Sequence, residues 1–307
     1  MGTPDFAVPS LEALNKEHEI VGVITAPDKP AGRGKKLRAS AVKEKSMELN
    51  LKILQPANLK DESFQKHLRG LQADLFVVVA FRMLPESVWS IPPKGTINLH
   101  GSLLPQYRGA APINWAIING EEETGLTTFF IEKNIDTGEI IDKTNLAIGP
   151  NETAGELHDR MMLAGANLLT ETVRKIGAGK AKSHPQELGQ STEIKRAPKI
   201  FRENCKINWQ KPATDVHNHI RGLSPFPGAW TRLESENNND SFKIFRSQIT
   251  GPTDSLPGTV IISDNSIEVA TNDNWLLVEE LQAPGKKRMN TGDFLRGFHP
   301  EGPMKFQ

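Results

Sequence analysis

Two segments constrain the fold most: the apolar run Leu75–Ala80, and Thr96–Gly109, which reads T-I-N-L-H-G-S-L-L-P-Q-Y-R-G. Both have the pattern of buried strands bounded by Pro and Gly. Side chains two apart on a strand point to the same side. Asn98 and His100 therefore project together from the C-terminal end of theirs. In open α/β sheets, ligands collect at that end. Gly101 then lets the backbone turn away, and Ser102, Leu103, Leu104 and Pro105 follow as a short wall with one polar group.

A carboxamide beside an imidazole suits acyl transfer. Both can donate hydrogen bonds to an oxygen that becomes negative, and the imidazole moves protons near neutral pH. On spacing alone the pair also fits a capping Asn and a packed core His.

The flanking sequence alternates helix and strand. Helices are expected over Pro9–Lys16, Ala41–Asn50 and Asp61–Leu71, with strands at Glu19–Ile24 and Lys52–Leu54. That order predicts a Rossmann-like α/β domain with a mostly parallel sheet. Further on, Ala110–Asn119 reads as a helix, and Thr124–Ile131 with Glu139–Leu146 as a hairpin. Thr153 and Glu156 form a capping box for a helix running to Ile176. Residues 181–200 are polar, carry Pro185 and Pro198, and read as a linker. After Phe201, a helix near Thr214–Gly222 leads into short strands, the pattern of a small OB-like β-barrel. Asp293–Arg296 reads as a short closing helix. The expected domains are 1–180, linker 181–200, and barrel 201–307, which matches a length of 307 residues.

No apolar run approaches the roughly 20 residues a membrane span needs, and no signal peptide opens the chain. The single cysteine, Cys205, excludes an internal disulfide. A cytoplasmic protein is expected. There is no Walker loop, no G-x-G-x-x-G and no nucleophile elbow. His217 and His219 do not face each other on a helix, so no metal site is expected.

Lys plus Arg equals Asp plus Glu, 37 each, so net charge points to no polyanion. The local distribution does. From Asp28 to Lys45, seven basic residues meet two acidic ones, a charge of +5 in a Gly/Pro-rich segment. A solvated charged loop is the alternative reading. From Phe201 onward, twelve basic residues meet thirteen acidic ones. Any nucleic-acid contact there needs a local patch such as Lys286-Lys287-Arg288.

N-x-H-x-S-L-L-P followed by Asp136-Thr137-Gly138 resembles the formyltetrahydrofolate-dependent formyltransferase family. So do Gly2–Phe6, Pro27–Lys36, Arg108–Ile113 and Pro284–Lys287, which together span nearly the whole chain. The resemblance implies formyl transfer from 10-formyltetrahydrofolate, without a metal, to the methionine amine of initiator Met-tRNA, by a monomer. It implies that Asn98, His100 and Asp136 are catalytic, with Asp136 orienting His100. Ser102 to Pro105 would line the folate site. Arg33, Lys35 and Lys36 would reach the tRNA acceptor end from a loop made mobile by Gly32 and Gly34, with Lys286 and Lys287 as further contacts. Asp-Thr-Gly alone is an ordinary turn. Relatives use other acceptors, such as glycinamide ribonucleotide or aminosugar nucleotides, or hydrolyse the formyl group. An inactive scaffold carrying an RNA-binding module is a third reading.

Two departures from the family pattern stand out. Phe81–Pro85 is one residue short and carries Arg82. In the family an apolar strand precedes the Gly-Thr-Pro loop inside the sheet, whereas here Met1 stands where that strand should end. The expectation is a start codon assigned too late, because loss of an interior strand leaves its neighbours' backbone groups unpaired.

Overall fold

The alternation in the first half folds as it reads. The structure is a computed structural model describing residues 1–31, 36–187, 193–235, 238–298 and 304–307. Contacts divide the chain into two interleaved units. One comprises Met1–Gly109, Thr124–Leu146 and His158–Arg196; the other comprises Ala110–Glu123, Ala147–Leu157 and Ala197–Gln307.

In the first unit, Val23–Ile24 pairs in parallel with Ile53–Leu54. Phe76–Val79 pairs in parallel with Thr96–His100. The latter pairs antiparallel with Glu123–Phe130, beyond which lies Ile140–Ala147. Met1 and Gly2 tie the two parallel pairs together. The Met1 amine donates to the Val77 carbonyl at 2.7 Å. Val79 N–H donates to the Met1 carbonyl at 2.9 Å, and Gly2 N–H to that of Ile24 at 3.1 Å. Met1 and Gly2 thus stand where the first strand is expected to end, with Gly2 bridged in parallel to Val79. Beside them is a cleft of about 420 Å³, with Leu14, Ile20, Gly22, Leu71 and Val77 among its lining.

Helix starts follow their capping side chains. Ser40 accepts from Lys43 N–H at 3.1 Å, and Asp61 from Phe64 N–H at 2.9 Å. Thr153 N–H donates to Glu156 at 2.8 Å, and Glu156 N–H returns to the Thr153 hydroxyl at 3.3 Å. This capping box opens the helix Ala154–Gly177. Arg82 donates to the backbone carbonyls of Pro56 and Ala57, so it closes a neighbouring loop. No helix among the described residues is long and apolar enough to cross a membrane.

The expected linker is tied down along part of its length. His184 exchanges two backbone hydrogen bonds with Ile140, at 2.8 and 3.0 Å. Lys195 N–H donates to the Gln106 side chain at 2.8 Å.

The second unit is a closed barrel of six strands. Their order is Asn238–Pro252, Ala229–Ser235, Met304–Phe306, Thr259–Ile262, Ile267–Ala270 and Asn274–Gln282, with the last pairing back to the first. Met289–Asn290 is appended to Asn274–Gln282. The core includes Trp209, Ile220, Phe242, Leu276 and Phe306. Trp209 stacks on Phe306 and donates its indole N–H to the Thr231 hydroxyl at 3.0 Å. The closing helix is Thr291–Leu295.

The segments 110–123 and 147–157 belong to this unit for a visible reason. Asn114 donates to the Gly222 carbonyl at 2.7 Å. Arg221 donates to the Gly149 and Glu152 carbonyls at 3.1 and 3.0 Å. Compactness therefore cuts the chain differently from a single break at 181–200.

Candidate active site

The strand Thr96–His100 positions the first two groups. Asn98 stands opposite Val78 on one side and Phe129 on the other. It is half-buried. Its carboxamide makes no hydrogen bond among the described residues. His100 is buried and packs edge-on against Phe129. Its Nε2 lies 2.9 Å from the Tyr107 carbonyl oxygen. A carbonyl only accepts, so Nε2 carries a proton and donates it there. Its Nδ1 lies 3.8 Å from Asp136 Oδ2. The same carboxylate oxygen accepts from Gly109 N–H at 2.9 Å.

Asp136 comes from the loop between Glu123–Phe130 and Ile140–Ala147. Its φ of +54° is in the left-handed region, which a turn of this kind stabilises. Gly138 is obligatory there, because a Cβ would stand 1.7 Å from the Phe130 carbonyl oxygen. The structure thus brings Asn98, His100 and Asp136 to one end of the sheet.

The wall after Gly101 differs from expectation. The Ser102 hydroxyl is fully buried and donates to the Gln106 carbonyl at 2.6 Å. Leu104 is fully buried against Phe129 and Ile140. Within the loop only Leu103 and Pro105 are partly exposed. Ser102 therefore offers no side-chain polar group to a ligand, and Leu104 shapes the surface only through its backbone. The hydrophobic interior claims Leu104, and a local turn claims the serine.

Three supporting groups escaped sequence reasoning. Thr127, opposite His100 in the ladder, accepts from Leu104 N–H at 3.1 Å and donates to the Ser102 carbonyl at 2.7 Å. Lys143 donates to the Leu104 carbonyl at 2.6 Å. Gln186 donates to the Asp136 and Gly138 carbonyls, each at 2.9 Å. Its side-chain oxygen accepts two bonds from Arg108, at 3.1 and 2.6 Å. Burial lowers the Arg108 pKa, and the nearby Asp136 carboxylate opposes that shift.

The basic groups are less fully described. Arg33 and Lys35 lie outside the described residues, as do the flanking Gly32 and Gly34. Of Lys36 only the backbone is described, in a short strand paired with Lys29–Ala31. Lys286 and Lys287 are exposed on the barrel. Among the described residues, no three His, Cys, Asp or Glu side chains cluster as metal ligands would. His217 instead pairs with Ser247 and the Pro150 carbonyl.

A Rossmann-like sheet that carries a carboxamide, an imidazole and a carboxylate at one end suits group transfer. The chain matches the formyl transferase family over residues 1–173 and the formyl transferase C-terminal domain over residues 199–299, and it belongs to that family. It is 51% identical to the methionyl-tRNA formyltransferase of Bacteroides fragilis, covering 97% of this chain and 94% of that one. It is 50% identical, with the same coverage, to the enzymes of that name from Parabacteroides distasonis and Flavobacterium johnsoniae. Its fold resembles that of an N-formyltransferase from Helicobacter canadensis, solved with folinic acid and dTDP-3-aminofucose. The TM-score is 0.67 at 21% identity, covering 94% of this chain and 97% of that one. The sugar 3N-formyl transferase WlaRD is similar too, with TM-score 0.65 at 23% identity, 93% of this chain and 97% of that one.

Proposed function

We propose that the chain transfers the formyl group of 10-formyltetrahydrofolate to the methionine amine of initiator Met-tRNA. One observation carries this reading: half of all positions are identical, over 97% of the chain, to proteins named for that reaction. The ammonium of the aminoacyl group first loses a proton. The amine then attacks the formyl carbon and the carbonyl oxygen becomes negative; the proton that the attacking nitrogen sheds passes to folate N10 as the C–N10 bond breaks and the carbonyl re-forms.

Asn98 has a free amide N–H for that oxygen among the described residues. His100 has its Nε2–H on the Tyr107 carbonyl and its Nδ1 toward Asp136. It reaches the formyl oxygen by exchanging the Tyr107 carbonyl for it, a swap of one hydrogen bond for another. The Asp136 carboxylate balances the positive charge the ring gains when it takes the ammonium proton. Leu103, Pro105 and the backbone of Ser102 and Leu104 border the folate. Arg33, Lys35 and Lys36 contact the acceptor end of the tRNA, and Lys286 and Lys287 its backbone. The chain acts as a monomer in the cytoplasm, where charged tRNA is found.

The test is transfer of labelled formyl from 10-formyltetrahydrofolate to Met-tRNA, with an aminosugar nucleotide as rival acceptor. Labelled N-formylmethionyl-tRNA supports the reading. Label only on the sugar, or released as formate, overturns it.

A further inference from the structure

We infer that Gln186 is a positioning residue that keeps the Asp136 carboxylate turned toward His100. This deepens the proposed function and rests on it for its kinetic test. Gln186 lies fifty positions from Asp136 in sequence, yet all three of its polar hydrogen-bonding positions face the site. Both amide hydrogens go to one turn, reaching the carbonyls of Asp136 and Gly138 at 2.9 Å. That turn includes a non-glycine residue at φ +54°, a conformation that costs free energy unless its surroundings hold it. The amide oxygen takes both the Nε and Nη2 donors of Arg108.

The second interaction matters because of what Arg108 otherwise does. Arg108 directly precedes Gly109, whose N–H bonds the Asp136 carboxylate, and that carboxylate opposes the lowering of the Arg108 pKa by burial. A free guanidinium near a carboxylate tends to form a charge-assisted pair. Asp136 Oδ2 is held by one backbone N–H, from Gly109, and stands 3.8 Å from His100 Nδ1. With Gln186 absent, Arg108 is free to capture that carboxylate and pull it from the imidazole. Gln186 therefore fixes the loop from behind and occupies the competing cation in front. His184, two residues earlier, bonds to Ile140, which holds this stretch against the same loop's exit.

The variant that tests this is Gln186→Met, of similar length and without hydrogen bonds. Expected is a fall in kcat of about tenfold with KM for folate and Met-tRNA within about twofold, the pattern of impaired alignment. In an Asp136→Asn background the same change should cost less than about twofold, because the group it positions has already lost its charge. A crystal structure of Gln186→Met should show the Asp136 carboxylate on the Arg108 guanidinium. Equal losses in both backgrounds, or an unmoved Asp136, overturn the inference. Should Gln186→Met not fold, Gln186→Glu keeps Arg108 engaged while offering no N–H to the two carbonyls. It should lower kcat measurably in the wild-type background and by less than about twofold in the Asp136→Asn background, and equal losses in both overturn the inference. If the wild-type chain formylates no Met-tRNA, the proposed function fails, and the position of Asp136 in the variant crystal still decides this inference.

Discussion

His100 Nε2 is 2.9 Å from the Tyr107 carbonyl oxygen. This hydrogen bond sets where the imidazole proton sits. The carbonyl belongs to a residue at φ +59°, whose own N–H donates to the Lys195 carbonyl at 2.7 Å. The ring is thus held by backbone at Nε2, while Asp136 Oδ2 lies 3.8 Å from Nδ1. Nitrogen-15 spectra of the histidine side chains should find His100 protonated at Nε2 when neutral. The opposite tautomer would mean that the Tyr107 carbonyl does not orient the ring.

Removing the proposed oxyanion donors, Asn98 and His100, should be costly. Loss of one such donor typically lowers turnover by about 100- to 1,000-fold. Asn98→Ala and His100→Ala should fall at least that far in single-turnover formylation, with tRNA affinity nearly unchanged. Turnover close to wild type in either variant removes that residue from the chemistry.

Thr127 should reveal itself through stability and folate together. Thr127→Val keeps the shape and leaves Leu104 N–H without its acceptor and the Ser102 carbonyl without its donor. Each orphaned buried group costs about 1–3 kcal/mol. Denaturant titration should find a loss of about 2–6 kcal/mol for the two groups together, and KM for the folate should rise more than KM for the tRNA. An unchanged folate KM would separate this clamp from the binding surface.

These outcomes divide by how visible their residues were in sequence. The place of Asn98 and His100 at one strand end was legible because a strand has period two and Pro and Gly mark its ends. Thr127 and Gln186 were not. A buried threonine in a strand has an ordinary β-propensity explanation, and Gln186 sits in a polar stretch with no periodicity. The bond from His100 to Tyr107 uses a carbonyl, which every residue owns, so no side-chain pattern announces it. A hydroxyl beside a glycine turn looks available at Ser102, whereas in the structure the Gln106 carbonyl takes its proton. The barrel was readable as strands. The assignment of 110–123 and 147–157 to its unit was not, since Asn114 and Arg221 act across long sequence separations.

The barrel unit should weaken in acid. Burial lowers the pKa of both His217 and His219 below the usual 6.5. The unfolded chain therefore binds protons that the folded one refuses. The sign is fixed: stability is full above about pH 6.5 and falls as pH drops through the interval down to the folded values, by at most ~1.4 kcal/mol per pH unit for each imidazole. Urea midpoints at pH 7.5 and pH 5.5 should differ in that direction, and His217→Gln should shrink the difference. A midpoint that rises on acidification would contradict buried neutral imidazoles.

The two exposed lysines of the barrel should report on tRNA rather than on chemistry. Lys286 and Lys287 sit in the segment 201–307, whose thirteen acidic residues slightly outnumber its twelve basic ones, so its attraction for RNA must be local. Their neighbour Arg288 is already paired with Glu280 and stacked on Phe245. That leaves the two lysines, among the described residues, as the cations of this segment open to a phosphate. Each phosphate neutralised by a lysine contributes about one to the slope of log affinity against log salt. Lys286→Ala with Lys287→Ala should therefore weaken Met-tRNA binding most at low salt and flatten its salt dependence by about one to two. The formylation rate at saturating tRNA should stay within about twofold. If the double variant binds with the wild-type slope, the acceptor is held elsewhere on the chain, and these lysines serve only as solvated surface.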